Sequence, residues 1–426
     1  MYEELKGKVL LLLGGNLEKE DIRKFADINQ ITLIAVGNNP NADYCKIADE
    51  YYDINSTDGP EMINFINAHH VDGVFMGGNE QVIGSATEYL NELGLPCYCT
   101  NDQWNMIQNK GNFKKLCQKA GLPVAERFLS VQCVSENDYP VITKPIDGAG
   151  SEGFSVCRNR EELQAGYEKA KEASFDGDVL IEKFLPNKSV VVIYTFSDGK
   201  MYYSGMENKI PVHYEKQGSF VAGIHLFESK CANEFRELFE EKLKSMFLSI
   251  GIKEGTVWME VFHKNGEYYF NEAGYRYSGS STPYPIDYLH GINQVYSDLL
   301  FSLTGRSNLY GNPPLVSEDI ERGKHYCILP VHMKPGTVCS IEGIDAIEEF
   351  KECVKVIRKK NVGSIVKDTG SVDQVFCFIH FIFGSEVELR NTIRGIYQEL
   401  KAFDQNGENL IHNMLSLESA DINVEG

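Results

Sequence analysis

The sequence predicts a chain of mixed α/β and α+β character in three successive parts, residues 1–103, 104–309 and 310–426. Three observations lead there. The first hundred residues alternate short apolar runs with amphipathic stretches, the rhythm of a small, mostly parallel βαβ sheet. The middle holds two unusual hairpins, one rich in glycine and one with carboxylates among aromatic residues. A polar, turn-forming stretch, "SNLYGNPPLVSEDIERG" (Ser307–Gly323), then sets off a last group of strands and a helix.

In the first part "VLLLLGG", opening at Val9, reads as a buried strand ending in glycines, and "ITLIAVG" (Ile31–Gly37) and "VDGVFMGG" (Val71–Gly78) as two more. "EMINFINAHH" has helical spacing between the second and third, and a further helix runs from about Glu80 to Leu93. The Gly14-Gly15 turn either closes a tight strand-to-helix connection, the preferred reading, or holds an anion.

The second part opens with "DQWNMIQNKGNFKKLCQKA" (Asp102–Ala120), read as one helix stopped by Gly121. "VITKPIDGAGSEGFSV" (Val141–Val156) follows, with Lys144 ending an apolar run before Gly148, Gly150 and Gly153. Those glycines spell G-x-G-x-x-G, but a dinucleotide site needs a helix opening at the third. Here "FSVCRN" alternates like a strand, and helical sequence begins only near Asn159. The segment is then a strand–loop–strand hairpin, either a plain glycine turn or a flap whose backbone N–H groups close over phosphates. A helix (about Asn159–Ala173) and the strands "DVLIEKFL" (Asp178–Leu185) and "SVVVIYTF" (Ser189–Phe196) come next. From Ala232 to Ile250, Phe235, Leu238, Phe239, Leu243, Met246, Phe247 and Ile250 share one helical face, which Gly251 ends.

The hairpin "GTVWMEVFHKNGEYYFNEAGYR" (Gly255–Arg276) turns at Asn265-Gly266. Glu260 and Glu272 lie in its apolar strands, where a carboxylate is costly unless paired or bound to a cation. Either they face solvent from a half-exposed sheet, or together they chelate Mg²⁺, which takes hard oxygen ligands. A two-residue turn pairs Glu260 with Asn271 and sends Glu272 to the opposite face. A three-residue loop over Lys264–Gly266 puts both on one face, and it is the expected form because one metal cannot be reached from two faces. Beyond Gly323, strands lead to a helix with a capping box, Ser385 and Glu388, burying Leu389, Ile393, Ile396, Tyr397 and Leu400. The last twenty or so residues read as frayed.

Composition narrows the function. With 41 basic and 61 acidic side chains the net charge is −20, a surface that repels polyanions and argues against nucleic acid or an anionic membrane as partner. The longest apolar run, "VFCFIHFIF" (Val375–Phe383), is far short of a bilayer span, and no targeting segment is visible. Eleven scattered cysteines with no C-x-x-C point to a reducing cytoplasm and to neither a disulfide framework nor a zinc site.

Lys110 in "NKGNFKKLCQKAGLPV", Lys144 with "KPIDGAGSEG", "IEKFL", and "MEVFHKNGEYYFNEAGYR" stand in the order and spacing of the ATP-grasp superfamily. The chain resembles it over nearly its whole length, most nearly the biotin carboxylase-like and L-amino-acid-ligase-like members. The resemblance implies a pre-ATP-grasp domain (1–103), a two-lobed ATP-grasp domain (104–309, lid about 124–186) and a C-terminal α+β domain (310–426). It implies ATP and Mg²⁺, with Mn²⁺ as a substitute. Lys110 and Lys144 would touch the phosphates, and Gly148, Gly150 and Ser151 would form the covering flap. Glu182 would accept from the adenine amino group, with the backbone of Lys183, Phe184 and Leu185 beside the base. Glu260 and Glu272 would hold the metal, and Arg276 with Lys144 would act on the transferred phosphoryl group.

The implied activity is a carboxylate–amine ligase working through an acyl phosphate, on small-molecule carboxylate and amine substrates, with a homodimer possible. The alternatives are a non-catalytic ATP-binding regulator and carbamoyl-phosphate-synthase-like or biotin-carboxylase-like chemistry. The cysteine-bearing, arginine-rich bicarbonate motif has no match where "NKIPVHYEKQGSF" stands. Two departures stand out. Gly274 replaces the usual asparagine of Glu-x-Asn-x-Arg, and "EKFLPNKSVVV" offers only Lys188 or Ser189 where a ribose-binding group is usual. "YRYSGSSTPYP" (Tyr275–Pro285) either lines the substrate pocket or closes the sheet. Lys209 and His213 fall where substrate contacts often lie, though His213 reads better as a surface residue. His69, His70, His225, His325, His332 and His380 lack metal-ligand spacing and read as structural.

Overall fold

The computed structural model of the chain describes residues 2–14, 18–146, 153–185, 189–214, 219–264 and 266–415. Gly15, Gly148, Gly150, Ser151, Lys188 and Asn265 lie outside the described residues, as does the tail from 416 onward.

Apolar runs at Val9–Leu12 (β1), Thr32–Val36 (β2) and Gly73–Phe75 (β4) form the expected parallel sheet, joined by a short strand, Glu50–Tyr52 (β3), that the sequence did not announce. The order is β3-β2-β1-β4. Connecting helices are α1 (Lys19–Asn29), α2 (Asp43–Lys46), α3 (Gly59–Ala68) and α4 (Glu80–Leu93). Asn79 caps α4 by accepting from the Gln81 and Val82 N–H groups, which fixes Glu80 as its first residue.

The stretch expected as one helix is two, α5 (Asn101–Gln108) and α6 (Lys110–Lys119). Asn109 between them is extended (φ −77°, ψ 116°), and its side chain accepts from the Asn112 N–H at 3.0 Å. An asparagine that offers the backbone a cap competes with helix continuation. The break makes Lys110 the first residue of α6.

The lid is a four-stranded antiparallel sheet of β5 (Arg127–Phe128), β6 (Val141–Pro145), β7 (Ser155–Cys157) and β8 (Val179–Lys183), in the order β5-β8-β6-β7. Helix α7 (Arg160–Glu172) packs on it through Leu163, Gly166 and Ala170. The β6–β7 hairpin is the predicted one, with Thr143 opposite Ser155.

The body is a nine-stranded sheet. Its long path comprises β9 (Ser189–Ser197), β10 (Lys200–Tyr214), β11 (Ser219–Phe227), β12 (Gly255–Lys264), β13 (Glu267–Gly274), β14 (His325–Met333), β15 (Cys353–Arg358) and β16 (Val375–Phe383). The order is β13-β12-β9-β10-β11-β14-β16-β15, with Ile411–His412 pairing off β14. The β11–β14 pairing puts strands from both sides of Ser307–Gly323 into one sheet. Helix α8 (Ala232–Ser249) buries Phe235, Phe239, Leu243, Met246 and Phe247 as expected, whereas Leu238 is 49% exposed. Helices α9 (Pro283–His290) and α10 (Gln294–Thr304) complete the central part, and Gly73 of β4 packs so close to α10 that an added Cβ would lie 2.1 Å from the Ser302 carbonyl. The predicted capping box at Ser385 is half made: Ser385 accepts from the Glu388 N–H, while the Glu388 carboxylate bonds the Gly384 N–H instead.

Two tyrosines tie the first part to the hairpin. Tyr98 donates to the Tyr275 carbonyl at 3.1 Å and Tyr275 to the Tyr98 carbonyl at 3.0 Å. All eleven cysteines are free thiols. Among the described residues no helix is long and apolar enough to cross a membrane.

Candidate active site

The carboxylate hairpin reaches the expected face by another route. Lys264 pairs with Glu267, so the turn has two residues, not the three expected. Glu260 nevertheless lies opposite Glu272, because the register shifts between Glu260 and Val261. Asn271 is the extra residue, a β-bulge that restores the parity a two-residue turn would have lost. Glu260, Asn271 and Glu272 all line one cavity of about 450 Å³.

Lysines converge on these carboxylates. Lys209 of β10 reaches Glu260 at 2.8 Å, and Asn271 donates to its other oxygen at 2.8 Å. Ser189 adds a bond to Glu260 at 3.2 Å. Burial pushes the Glu260 carboxyl up, but Lys209 and these donors outweigh burial and hold it at about 2. Lys110, at the start of α6, lies 3.5 Å from Glu272. Lys144 leaves the lid to donate to Asn271 at 2.9 Å and to pair with Glu182 at 3.1 Å.

Glu182 is 1% exposed and has two ammonium partners, Lys144 and Lys114. Burial alone would raise its pKa; the two lysines outweigh burial and hold it below the usual carboxylate range. Lys114 pays for this arrangement: burial and the neighbouring Lys144 charge bring its pKa down to about 7. Glu182 is thus the counter-charge that aims Lys144, a part the sequence reading did not assign. The adjacent hinge is partly engaged too, since the Lys183 and Phe184 N–H groups donate to the Glu126 and Pro140 carbonyls. The Lys183 ammonium turns away to the Asp138 carbonyl at 2.6 Å.

Arg276, past the end of β13, pairs with Glu80 at the start of α4, its Nε at 3.1 Å, and donates to the Tyr277 carbonyl at 2.6 Å. Its guanidinium lies 5.5 Å from the Trp258 ring centre. The same indole accounts for Gly274: a Cβ there would meet Trp258 atoms at 2.5 Å. Tryptophan thus fills the space of the missing asparagine side chain.

Hard oxygens on facing residues, one held ionised, fit Mg²⁺. Among the described residues no group of three metal-binding side chains occurs, so the cation would rest on two carboxylates and on its substrate's phosphates. Of the Tyr275–Pro285 segment, Ser278, Gly279 and Ser280 line the cavity, while Tyr275 is fully buried and Tyr284 bonds Asp21 at 2.5 Å. His213 is exposed and stacks on Phe220, as a surface histidine would. His225, read as structural, lines the cavity together with Glu207. Asn271, Lys114, Trp258, Glu207 and His225 were all missed. The signals present were the adjacent polar pair Asn271-Glu272 in an apolar strand and the one-turn spacing of Lys110 and Lys114.

Residues 109–283 match the family model described as the carbamoyl-phosphate synthase L chain, ATP binding domain. The formate-dependent phosphoribosylglycinamide formyltransferase of Wolinella succinogenes is 26% identical over 333 residues, covering 74% of this chain and 79% of that protein. The carbamoyl phosphate synthase large chain of Clostridium perfringens is 25% identical over 311 residues, 67% of this chain, and the chain spans 28% of that protein's length. The L-amino acid ligase of Bacillus licheniformis superposes with a TM-score of 0.73 at 18% identity, over 94% of this chain and 100% of that one. The biotin carboxylase domain of Hydrogenobacter thermophilus 2-oxoglutarate carboxylase, solved with MgADP and bicarbonate, gives 0.75 at 17% identity over 93% and 91%.

Proposed function

We propose that this chain, a member of the ATP-grasp superfamily, is an ATP- and Mg²⁺-dependent carboxylate–amine ligase releasing ADP and phosphate. The observation that carries the reading is the cross-strand pair Glu260 and Glu272 ringed by Lys110, Lys144 and Lys209 in the cavity of a chain with net charge −20. Such a cluster of positive charge is what two anions, a γ-phosphate and a carboxylate, need in order to approach.

Lys110 and Lys144 bind the phosphates, and Glu182 holds Lys144 in place. Glu182 keeps lone pairs for the adenine amino group, with the hinge main chain to Leu185 beside the base. When bound, Mg²⁺ on Glu260 and Glu272 neutralises phosphate charge. Arg276, turned into the cavity by Glu80 and Trp258, binds the acyl phosphate once the carboxylate oxygen has attacked the γ-phosphorus.

A second reading has an observation of its own. Trp258 leaves no room for a side chain at position 274, where the resemblance expects an asparagine, which favours a protein that binds ATP with a single metal and transfers nothing. Incubation with ATP, Mg²⁺ and pooled carboxylates, with hydroxylamine as trap, separates the two. ADP with a hydroxamate is the expected result; nucleotide binding without either product supports the second reading.

A further inference from the structure

We infer that Glu207 and His225 form the site that receives the amine substrate and takes its proton; this rests on the ligase reading above. The His225 Nδ1 lies 2.9 Å from Glu207 Oε1, and the two residues are 5% and 1% exposed. Glu207 Oε2 is buried with no hydrogen-bond partner. A carboxylate left half satisfied is costly in a core, yet both residues line the same cavity as the lysine and carboxylate cluster.

Their place on the sheet fits the chemistry. One cross-strand row runs Glu272, Glu260, Val191, Glu207, and the next runs Phe262, Ser189, Lys209, His225. All eight line the cavity, so the floor leads from the Glu260–Glu272 carboxylates to the imidazole. Three strand spacings, roughly 14 Å, separate the Glu260 and His225 backbones. Phosphate, acyl carbon and amine nitrogen in line, with the two side chains reaching inward, fill that span.

The other charged or titratable groups around His225 are Lys209 and Glu207 on β10, His332 on β14, His380 on β16 and Lys359 across the cavity. Burial brings His332 down to about 4 and His380 to about 3, so both are neutral at pH 7. Lys209 is committed to Glu260. His225, backed by a carboxylate, is the group equipped to accept a proton.

The substrate ammonium gives one proton to the His225 imidazole, and the imidazolium is stabilised by Glu207. The freed nitrogen lone pair attacks the acyl carbon, the C–N bond forms and the C–O bond to phosphate breaks. The second N–H proton leaves with the phosphate as HPO₄²⁻, and His225 returns its proton to water.

The test uses the full chain with ATP and Mg²⁺, formate and the twenty amino acids as carboxylates, and either methylamine or hydroxylamine as nucleophile. Hydroxylamine is unprotonated at pH 7, whereas methylamine is almost wholly ammonium. His225→Gln should lose about 10²–10³-fold in methylamine-dependent ADP release at pH 7 and less than tenfold with hydroxylamine. Its methylamine rate should then climb with pH where the wild type levels off, and Glu207→Gln should show the same split more weakly. Should His225→Gln not fold, Glu207→Gln and the wild-type pH profile carry the test. Equal losses with both nucleophiles, or one pH profile for wild type and variant, overturn the proposal. An intact protein that makes no ADP with any carboxylate instead overturns the ligase reading, and the proposal goes with it.

Discussion

Glu260 and Glu272 face each other across β12 and β13 because Asn271 is one residue too many for the ladder. The bulge also turns Asn271 into a bridge, bonded to Lys144 of the lid and to Glu260 of the body. Replacing Asn271 with Leu should weaken Mg²⁺-nucleotide binding about tenfold, the worth of one hydrogen bond to a charged group. Calorimetric titration with MgADP checks it, and unchanged affinity would remove Asn271 from the site.

Glu260 sets an acid limit. A carboxyl whose folded pKa lies below its ordinary value stabilises the fold above that ordinary value and loses the contribution as pH falls through the folded one. For Glu260 the window runs from 4.5 down to about 2, and roughly 3 kcal/mol is lost across it. In urea unfolding, the stability gap between wild type and Glu260→Gln should therefore narrow as pH drops from 4.5 towards 2.

The two lysines of the lid strands should behave differently. Lys144→Ala removes the ammonium held by Glu182 and Asn271 and should cost at least tenfold in nucleotide affinity. Lys183→Ala breaks only a bond to the Asp138 carbonyl and should change affinity by less than about twofold. Similar losses in one titration series would argue against the phosphate assignment.

Gly274→Asn alone should destabilise the hairpin by about 1–3 kcal/mol through its clash with Trp258. Combined with Trp258→Ala the asparagine gains room, and electron paramagnetic resonance should then count more bound Mn²⁺ per nucleotide than in the wild type. An unaltered count would mean that Trp258 does not stand in for a ligand.

Arg276→Lys keeps the charge but loses the planar fork that spans Glu80 and the Tyr277 carbonyl. Hydroxamate formation should fall about 10²-fold or more, with MgADP affinity within about twofold. A parallel loss of both would move Arg276 from the transferred phosphoryl group to the nucleotide.

The sequence made the cluster legible where chemistry overrides pattern. Lys144 and Glu272 break apolar strands, and a charge in such a place has to be bought by a partner. What it hid depended on ladder geometry. No local pattern marks Asn271 as a bulge, so parity counted from the turn misassigned the loop while naming the right face. His225 sits in "GIHLF", where one polar residue among apolar ones looks like an ordinary core histidine. Its meaning comes from Glu207, eighteen residues away in sequence and one strand away in space. Asn109 hid in the same way, since a cap inside a helical pattern leaves the apolar spacing almost intact.

The reciprocal Tyr98–Tyr275 bonds and the Glu80–Arg276 pair carry a practical consequence. A protein begun at residue 104 would keep the lid, Lys144 and both metal carboxylates, yet Arg276 would lose its anchor and Tyr275 its partner. Such a truncation should leave Arg276 without its carboxylate anchor, so the opening hundred residues position a side chain of the proposed site from outside the part that holds it.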